Sequence, residues 1–245
     1  MRISRIFTDQ DLAPDSQLVL PERTGHYLVR VLKLRPGDAL VLFNGDGFDY
    51  ACELISVKRD ALTVHVNTRL PAVAESPLRL TLVQAVGKGD RMDYSLQKAT
   101  ELGVAQVQPV FTARTEVRLQ GARLAKRMAH WHGVLVAACE QSGRATLPLL
   151  ADALGLEEWL DQPSEEARYV LDPRAERCLA GCEKPGLAAT VVIGPEGGFT
   201  EQEMQRLVLA DVRAVSLGPR VLRTESAGPA AITVLQTLYG DFAPA

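Results

Sequence analysis

The stretch "VVIGPEGGFTEQE" (Val191 to Glu203) decides the fold class. Its apolar start reads as a strand that runs straight into Gly194-Pro195-Glu196-Gly197-Gly198. Thr200 and Glu203 then form the T-x-x-E pattern of a capping box, so a helix begins directly after the glycines. A loop between a strand's carboxyl end and a helix N-terminus is where α/β proteins place ligands. Gly197 and Gly198 would let the backbone approach such a ligand closely. The loop lacks G-x-G-x-x-G and is not followed by Gly-Lys-Ser/Thr, so it is neither a dinucleotide fingerprint nor a Walker A loop. Glu196 would repel a phosphate. A carboxylate there suits a hydroxyl donor such as a ribose, or a cation; a tight turn with an exposed acid is the alternative.

Outward from this loop the chain has two textures. From residue 78 onward strands and helices alternate. "LRLTLVQAV" is nearly uninterrupted apolar sequence, as a strand covered on both faces requires. "DRMDYSLQKATELGV" sets Met92, Leu96, Ala99 and Leu102 at helical spacing, with Gly103 at the C′ position. A longer helix carries Leu124, Met128, Trp131 and Leu135 on one stripe, with Trp131 as plain core. "VQPVFT", "LPLL", "ARYVLD", "ATVVIG" and "VRAVSLG" are further strands, and "AAITVLQTLYGDF" is the last helix. The alternation predicts a mostly parallel sheet with helices on both faces.

Residues 1–70 hold several short strands instead. Asn44-Gly45-Asp46-Gly47 between two apolar runs is a hairpin signal. "RTGHYLVRVLKL" spaces Tyr27, Val31, Leu32 and Leu34 like a short helix. This region reads as a small β-barrel. "TRLPAVAESP", with two prolines and little periodicity, reads as a linker, which places a boundary at 71–77 and a second domain at 78–245.

Apolar content of 47% and a net charge of −3 fit an ordinary globular protein and predict no polyanionic partner globally. Basic residues do cluster between Thr112 and His132 (Arg114, Arg118, Arg123, Lys126, Arg127), where phosphate contact and a solvated helix face are both open readings. The four cysteines make no C-x-x-C pair, and His130-Trp131-His132 has no carboxylate at metal-ligand spacing, so no metal is expected. With no apolar run of spanning length and no signal segment, the chain reads as a soluble protein of a reducing cytoplasm.

Two more segments carry polar groups beyond what caps need. In "SLGPRVLRTESAG" (Ser216 to Gly228), Arg223, Thr224 and Glu225 gather at a helix start. Thr224 as N-cap and Glu225 as a first-turn acid account for two of them. Arg220 and Arg223 are not explained this way. In "ACEQSGR" (Ala138 to Arg144), Glu140, Gln141, Ser142 and Arg144 crowd one turn and a half.

"QKATELGV", "AACEQSGR", "VIGPEGGFTEQE" and "LGPRVLRTESA", in this order, resemble the motif set of the 16S ribosomal RNA uracil-N3 methyltransferases of the SPOUT superfamily. The resemblance extends to the N-terminal region and "HYLVRVLKLRPGD". Gly228-Pro229 departs from it, falling where similar proteins continue with helix formers. A proline is tolerated in a helix's first turn, so the last helix could start nearer Gly228, which would remove the capping roles of Thr224 and Glu225.

The resemblance implies an α/β SPOUT domain with a C-terminal trefoil knot, preceded by a PUA-like RNA-binding domain. It further implies S-adenosylmethionine as cofactor, a homodimer, and small-subunit 16S ribosomal RNA or the subunit itself as partner. Cofactor contacts would come from Leu171, Ile193, Gly194, Pro195, Glu196, Gly197 and Gly198, and from Leu217, Gly218, Leu222, Arg223 and Thr224. Arg223 would stabilise negative charge on the uracil, with Glu225 or Glu196 as general base. Arg2, Arg5, Arg30, Lys33, Arg35, Arg91, Arg114, Gln141 and Arg144 would contact RNA. The rival readings are a non-catalytic RNA-binding or ribosome-assembly protein on the same fold, and a nucleotide-dependent enzyme.

Overall fold

The computed structural model describes residues 4–21, 24, 27–58, 61–117 and 119–242. Arg2 and Arg118 lie outside the described residues. Two compact units divide the chain: one holds residues 1–75 and 139–147, the other 76–138 and 148–245.

The first unit is a five-stranded sheet of β1 (Ser4–Phe7), β2 (Ser16–Leu20), β3 (Ala39–Phe43), β4 (Phe48–Lys58) and β5 (Ala61–Pro71), in the order β1-β3-β4-β5-β2. Only β1 and β3 pair in parallel. Residues 44–47 join the antiparallel β3 and β4, as the hairpin signal predicts. Along β4, Tyr50, Cys52 and Leu54 point inward and meet Leu62, Val64 and Val66 of β5, the period-two pattern of a half-buried strand. Tyr27–Val31 forms a short π-helical turn rather than an α-helix, with Leu28 fully buried.

The sequence boundaries shift in two places. Pairing of β4 with β5 extends to Phe48–Pro71, so the strand takes in the start of the expected linker. Proline is tolerated at such a strand end because no further ladder donor is needed there. The stretch 139–147 also belongs to the first unit: Cys139 and Ala145 are buried with Phe43, beside Phe7, Ala72 and Leu147.

The second unit carries a seven-stranded parallel sheet. Its strands are β6 (Arg79–Ala85), β7 (Gln106–Phe111), β8 (Leu149–Leu150), β9 (Leu154–Gly155), β10 (Ala167–Leu171), β11 (Ala188–Ile193) and β12 (Val212–Val215). The order is β12-β10-β11-β6-β7-β8, with β9 also pairing β7. The helices are α1 (Asp90–Glu101), α2 (Gly121–Ser142), α3 (Leu156–Leu160), α4 (Glu201–Leu209) and α5 (Thr224–Tyr239). Alternate residues of β6 serve two cores. Leu80 and Leu82 pack with Met92 and Leu96 of α1, Trp131 and Leu135 of α2, and Ile232 and Leu235 of α5. Val83 and Ala85 pack with Trp159 of α3 and Leu207 of α4 on the opposite face. Two covered faces explain why β6 reads as continuous apolar sequence.

The start of α5 settles the alternatives left by Gly228-Pro229. The helix begins at Thr224, Arg223 is the N-cap and makes no side-chain cap, and Pro229 lies inside the helix. Thr224 is therefore not the cap: its hydroxyl is committed elsewhere. Among the described residues no group of three or more histidines, cysteines or acids could hold a metal, and no helix is long and apolar enough to cross a membrane. His130 does have an acidic neighbour, Asp93, at 2.7 Å.

Candidate functional site

A cavity of about 610 Å³ opens at the carboxyl ends of β10, β11 and β12. Its walls include residues 193–199 after β11, 171–174 after β10, and 215–217 and 220–225 around the entry to α5, with Arg91 from the first turn of α1 and Arg114 from the loop after β7. Of the sequence-predicted cofactor contacts, only Gly218 is not a wall of this cavity. Gly218 has φ +89° and lies within the loop between β12 and α5.

The glycine loop is fixed from several sides. The Thr200 hydroxyl accepts the Glu203 amide at 3.1 Å, and the Glu203 carboxylate accepts the Thr200 amide at 2.7 Å, completing the capping box. The other Glu203 oxygen accepts the Ala113 amide at 2.7 Å, which anchors the loop that carries Arg114. Arg114 Nη1 then donates to the carbonyl of Gly197 at 2.8 Å. A Cβ at Gly194 would stand 3.0 Å from the Phe199 ring, so the close approach of that ring requires glycine there.

Glu196 is tied across the loop after β6. Its Oε1 accepts the Lys88 amide at 3.2 Å and Arg91 Nη1 at 2.9 Å. Burial pushes the carboxyl up, but hydrogen bonds from its own amide, the Lys88 amide and Arg91 outweigh it and hold the group below its ordinary value of 4.5. Asp172 is likewise held down, chiefly by hydrogen bonds from Arg174. The cavity thus holds two carboxylates that stay ionised beside its lining arginines, and they suit hydroxyl or ammonium donors.

A titration follows. Because the folded Glu196 binds its proton less readily than the unfolded one, its contribution is present above pH 4.5 and is lost as pH falls through the lowered folded value. The pair is partly exposed, so the contribution is at most about 1 kcal/mol. Wild type and Glu196→Gln should differ in thermal stability by a constant amount at neutral pH, and the difference should close in acid. A difference that grows below pH 4.5 would contradict this sign.

Arg91 and Arg114, expected on RNA, are thus walls of the cavity that grip the glycine loop. Arg5 is buried against Asp49 and the carbonyl of Cys139, and Arg144 against Glu75. Neither of these two presents its guanidinium to solvent. Arg30, Lys33, Arg35 and Gln141 are exposed. At the entry to α5, Arg223 is exposed and Glu225 partly so. Among the described residues neither side chain has a hydrogen bond or ion pair within the chain. Sequence reasoning missed Asp172, Arg174 and Phe199 as walls. The signal available for Asp172 was an acid directly after the parallel strand that ends at Leu171.

A parallel α/β unit with its cavity at the carboxyl strand ends places the chain among the ligand-binding α/β proteins. Residues 74–236 match the RNA methyltransferase domain family, and residues 20–67 match the RNA methyltransferase PUA domain family. A crystal structure of ribosomal RNA small subunit methyltransferase E from Neisseria gonorrhoeae, bound to S-adenosyl methionine, is 40% identical with a TM-score of 0.94 and covers 99% of this chain and 100% of its own. A Legionella pneumophila structure in complex with bound SAM is 34% identical, with a TM-score of 0.95 over 98% of this chain and all of its own. The Mycobacterium bovis protein named ribosomal RNA small subunit methyltransferase E is 31% identical over 93% of this chain and 90% of its own length. The chain belongs to the RNA methyltransferase family.

Proposed function

We propose that this protein methylates N3 of a uridine in 16S ribosomal RNA, using S-adenosylmethionine. The observation that carries the reading is the cavity itself: a glycine loop with an ionised acid at its centre, lined also by apolar side chains and by Arg223, whose guanidinium has no partner among the described residues. These residues fit the cofactor, which has a ribose diol, an ammonium and an adenine but no phosphate. Leu171, Ile193, Leu217 and Leu222 would flank the adenine. Asp172 and Glu196 supply the anionic acceptors. When bound, the cofactor supplies an electrophilic methyl group on a sulfonium.

The chain's own residues must then place and ionise the base. N3 lies on the Watson–Crick edge, so the uracil must be unpaired or swung out of its stack. It is a poor nucleophile until its proton leaves. Glu196 is a weak base with Oε1 engaged, so Glu225 is the better group to take the proton. Arg223, two residues earlier at the same helix entry, would stabilise the negative charge that develops on the ring oxygens.

The segment between β12 and α5 supports a trefoil knot. Ser216 is bonded to the backbone of Arg177 and Leu179 on the β10–β11 connection, and the chain then passes inward to Thr224, whose hydroxyl reaches the Gly194 carbonyl. Val221 and Leu222 remain exposed at the edge of the cavity, which supports a homodimer whose second subunit covers them. Small-subunit RNA as substrate places the enzyme in the cytoplasm.

The deciding measurement is nucleoside mass analysis of 16S RNA from cells with and without the protein. N3-methyluridine should disappear on its loss and return with the wild-type chain; an unchanged level rejects the assignment. RNA affinity should also depend steeply on salt. Replacing Arg30, Lys33 and Arg35 together with glutamine should reduce the slope of log K against log salt by about 2 to 3, at roughly 0.7–0.9 per phosphate contact. An unchanged slope would remove these residues from the RNA surface.

A further inference from the structure

We infer that Gln84, a side chain outside the cavity, is a positioning residue that sets the entry of α5 against the glycine loop; the inference rests on the methyltransferase reading for its effect on turnover. Gln84 sits near the carboxyl end of β6 and is 1% exposed. Its Nε2 donates to the Ala85 carbonyl at 3.2 Å and to the Thr224 hydroxyl at 3.1 Å. Thr224 Oγ1 in turn donates to the carbonyl of Gly194 at 2.8 Å. A hydroxyl that accepts from an amide has its proton free to donate, so both of its roles are filled and its rotor is pinned.

Gly194 and Thr224 stand where two of the cavity's walls meet, with Gln84 bonded to Thr224 from outside the cavity. Gly194 opens the glycine loop. Thr224 is the first residue of α5, between Arg223 and Glu225. Fixing the Thr224 side chain to Gly194 therefore fixes how far Arg223 and Glu225 stand from the loop. The Gln84 Oε1 is buried with no hydrogen-bond partner among the described residues, a cost that a purely apolar residue at this place would avoid. Gly228 lets α5 pack closely on β6: a Cβ there would stand 3.2 Å from Leu82 Cδ1 and 3.5 Å from Gln84 Oε1, so a larger residue would have to push the leucine methyl aside. The Gly228-Pro229 departure noted in the sequence thereby acquires a physical reason on its glycine side.

The test uses the full chain with Gln84→Leu, Thr224→Val, Thr224→Ser and the Gln84→Leu/Thr224→Val double variant. In cofactor-free protein, amide exchange is followed at Ser226 and Ala227, whose N–H groups both bond the Arg223 carbonyl. Gln84→Leu should speed their exchange by about tenfold, while central β11 amides stay unchanged. Turnover should fall by about tenfold, with cofactor affinity within about threefold, since a local loss of about 1.4 kcal/mol corresponds to that factor. Thr224→Ser, which keeps the hydroxyl, should leave amide exchange at Ser226 and Ala227 at the wild-type rate, and the double variant should be no worse than the poorer single. Unchanged α5 exchange, loosening that spreads through β6 and β11, additive losses, or equal losses of turnover and cofactor affinity would each overturn the positioning role. A wild-type chain that transfers no methyl group would reject the functional reading instead, and the exchange arm would still decide the role of Gln84.

Discussion

Arg223→Ala should lower turnover by about a hundred- to a thousandfold, the range found when a preorganised charge partner of a developing anion is removed, while cofactor affinity changes only a few-fold. Arg223 is the N-cap of α5, where the helix dipole disfavours a cation and where Ser, Thr, Asp or Asn would serve better. Its carbonyl accepts the amides of Ser226 and Ala227, so the backbone is firmly placed, yet among the described residues its guanidinium has no partner. A locally unfavourable charge held on a rigid helix entry at the rim of a cavity is the pattern of a site that awaits its counter-charge from substrate. Arg223→Lys should recover part of the loss, since it keeps the charge and forfeits the planar fork. Single-turnover kinetics with saturating cofactor checks this directly. Turnover within a few-fold of wild type for Arg223→Ala would remove its catalytic role.

The framework of this site was legible because local chemistry and tertiary structure agree there. The Thr200–Glu203 box forms as its spacing predicts, and Gly103 has the φ of +85° expected at C′. The uninterrupted apolar run of β6 reports two covered faces directly. The arginines are another matter. In the sequence, Arg5, Arg91, Arg114 and Arg144 look like Arg30 and Arg35. The structure spends the first four on an aspartate, a glutamate, a loop carbonyl and a second glutamate. All four partners lie more than forty residues away in sequence, at separations of 44, 105, 83 and 69. No periodicity or motif encodes such pairings, since they depend on which loops the sheet order brings together. The start of α5 was open for the opposite reason: Gly228-Pro229 is a strong local signal, and tertiary contacts to Gly194 and β6 override it.

The same distinction makes Arg5→Ala a stability variant, with an expected loss of about 3 kcal/mol in chemical denaturation. Arg5 donates from Nε and Nη2 to Asp49 at 2.9 and 2.7 Å and from Nη1 to the Cys139 carbonyl at 2.6 Å, with its guanidinium 3.9 Å from the centre of the Phe43 ring. The two side chains are only 11% and 18% exposed. Truncation removes the cation and leaves Asp49 charged without that partner, which costs more than the pair itself is worth. The Cys139 carbonyl also lies in the last turn of α2, where it accepts the Gly143 amide as well and where a cation suits the helix dipole. Arg5→Lys should lose less, because it keeps the charge but cannot serve Asp49 and Cys139 in the same plane. Arg30→Ala is the contrast. As an exposed residue it should leave stability within about 0.5 kcal/mol and instead lower the salt slope of RNA binding by roughly 0.7–0.9. If Arg5→Ala lowered that slope with stability unchanged, the buried cation would have to be reassigned to the RNA surface.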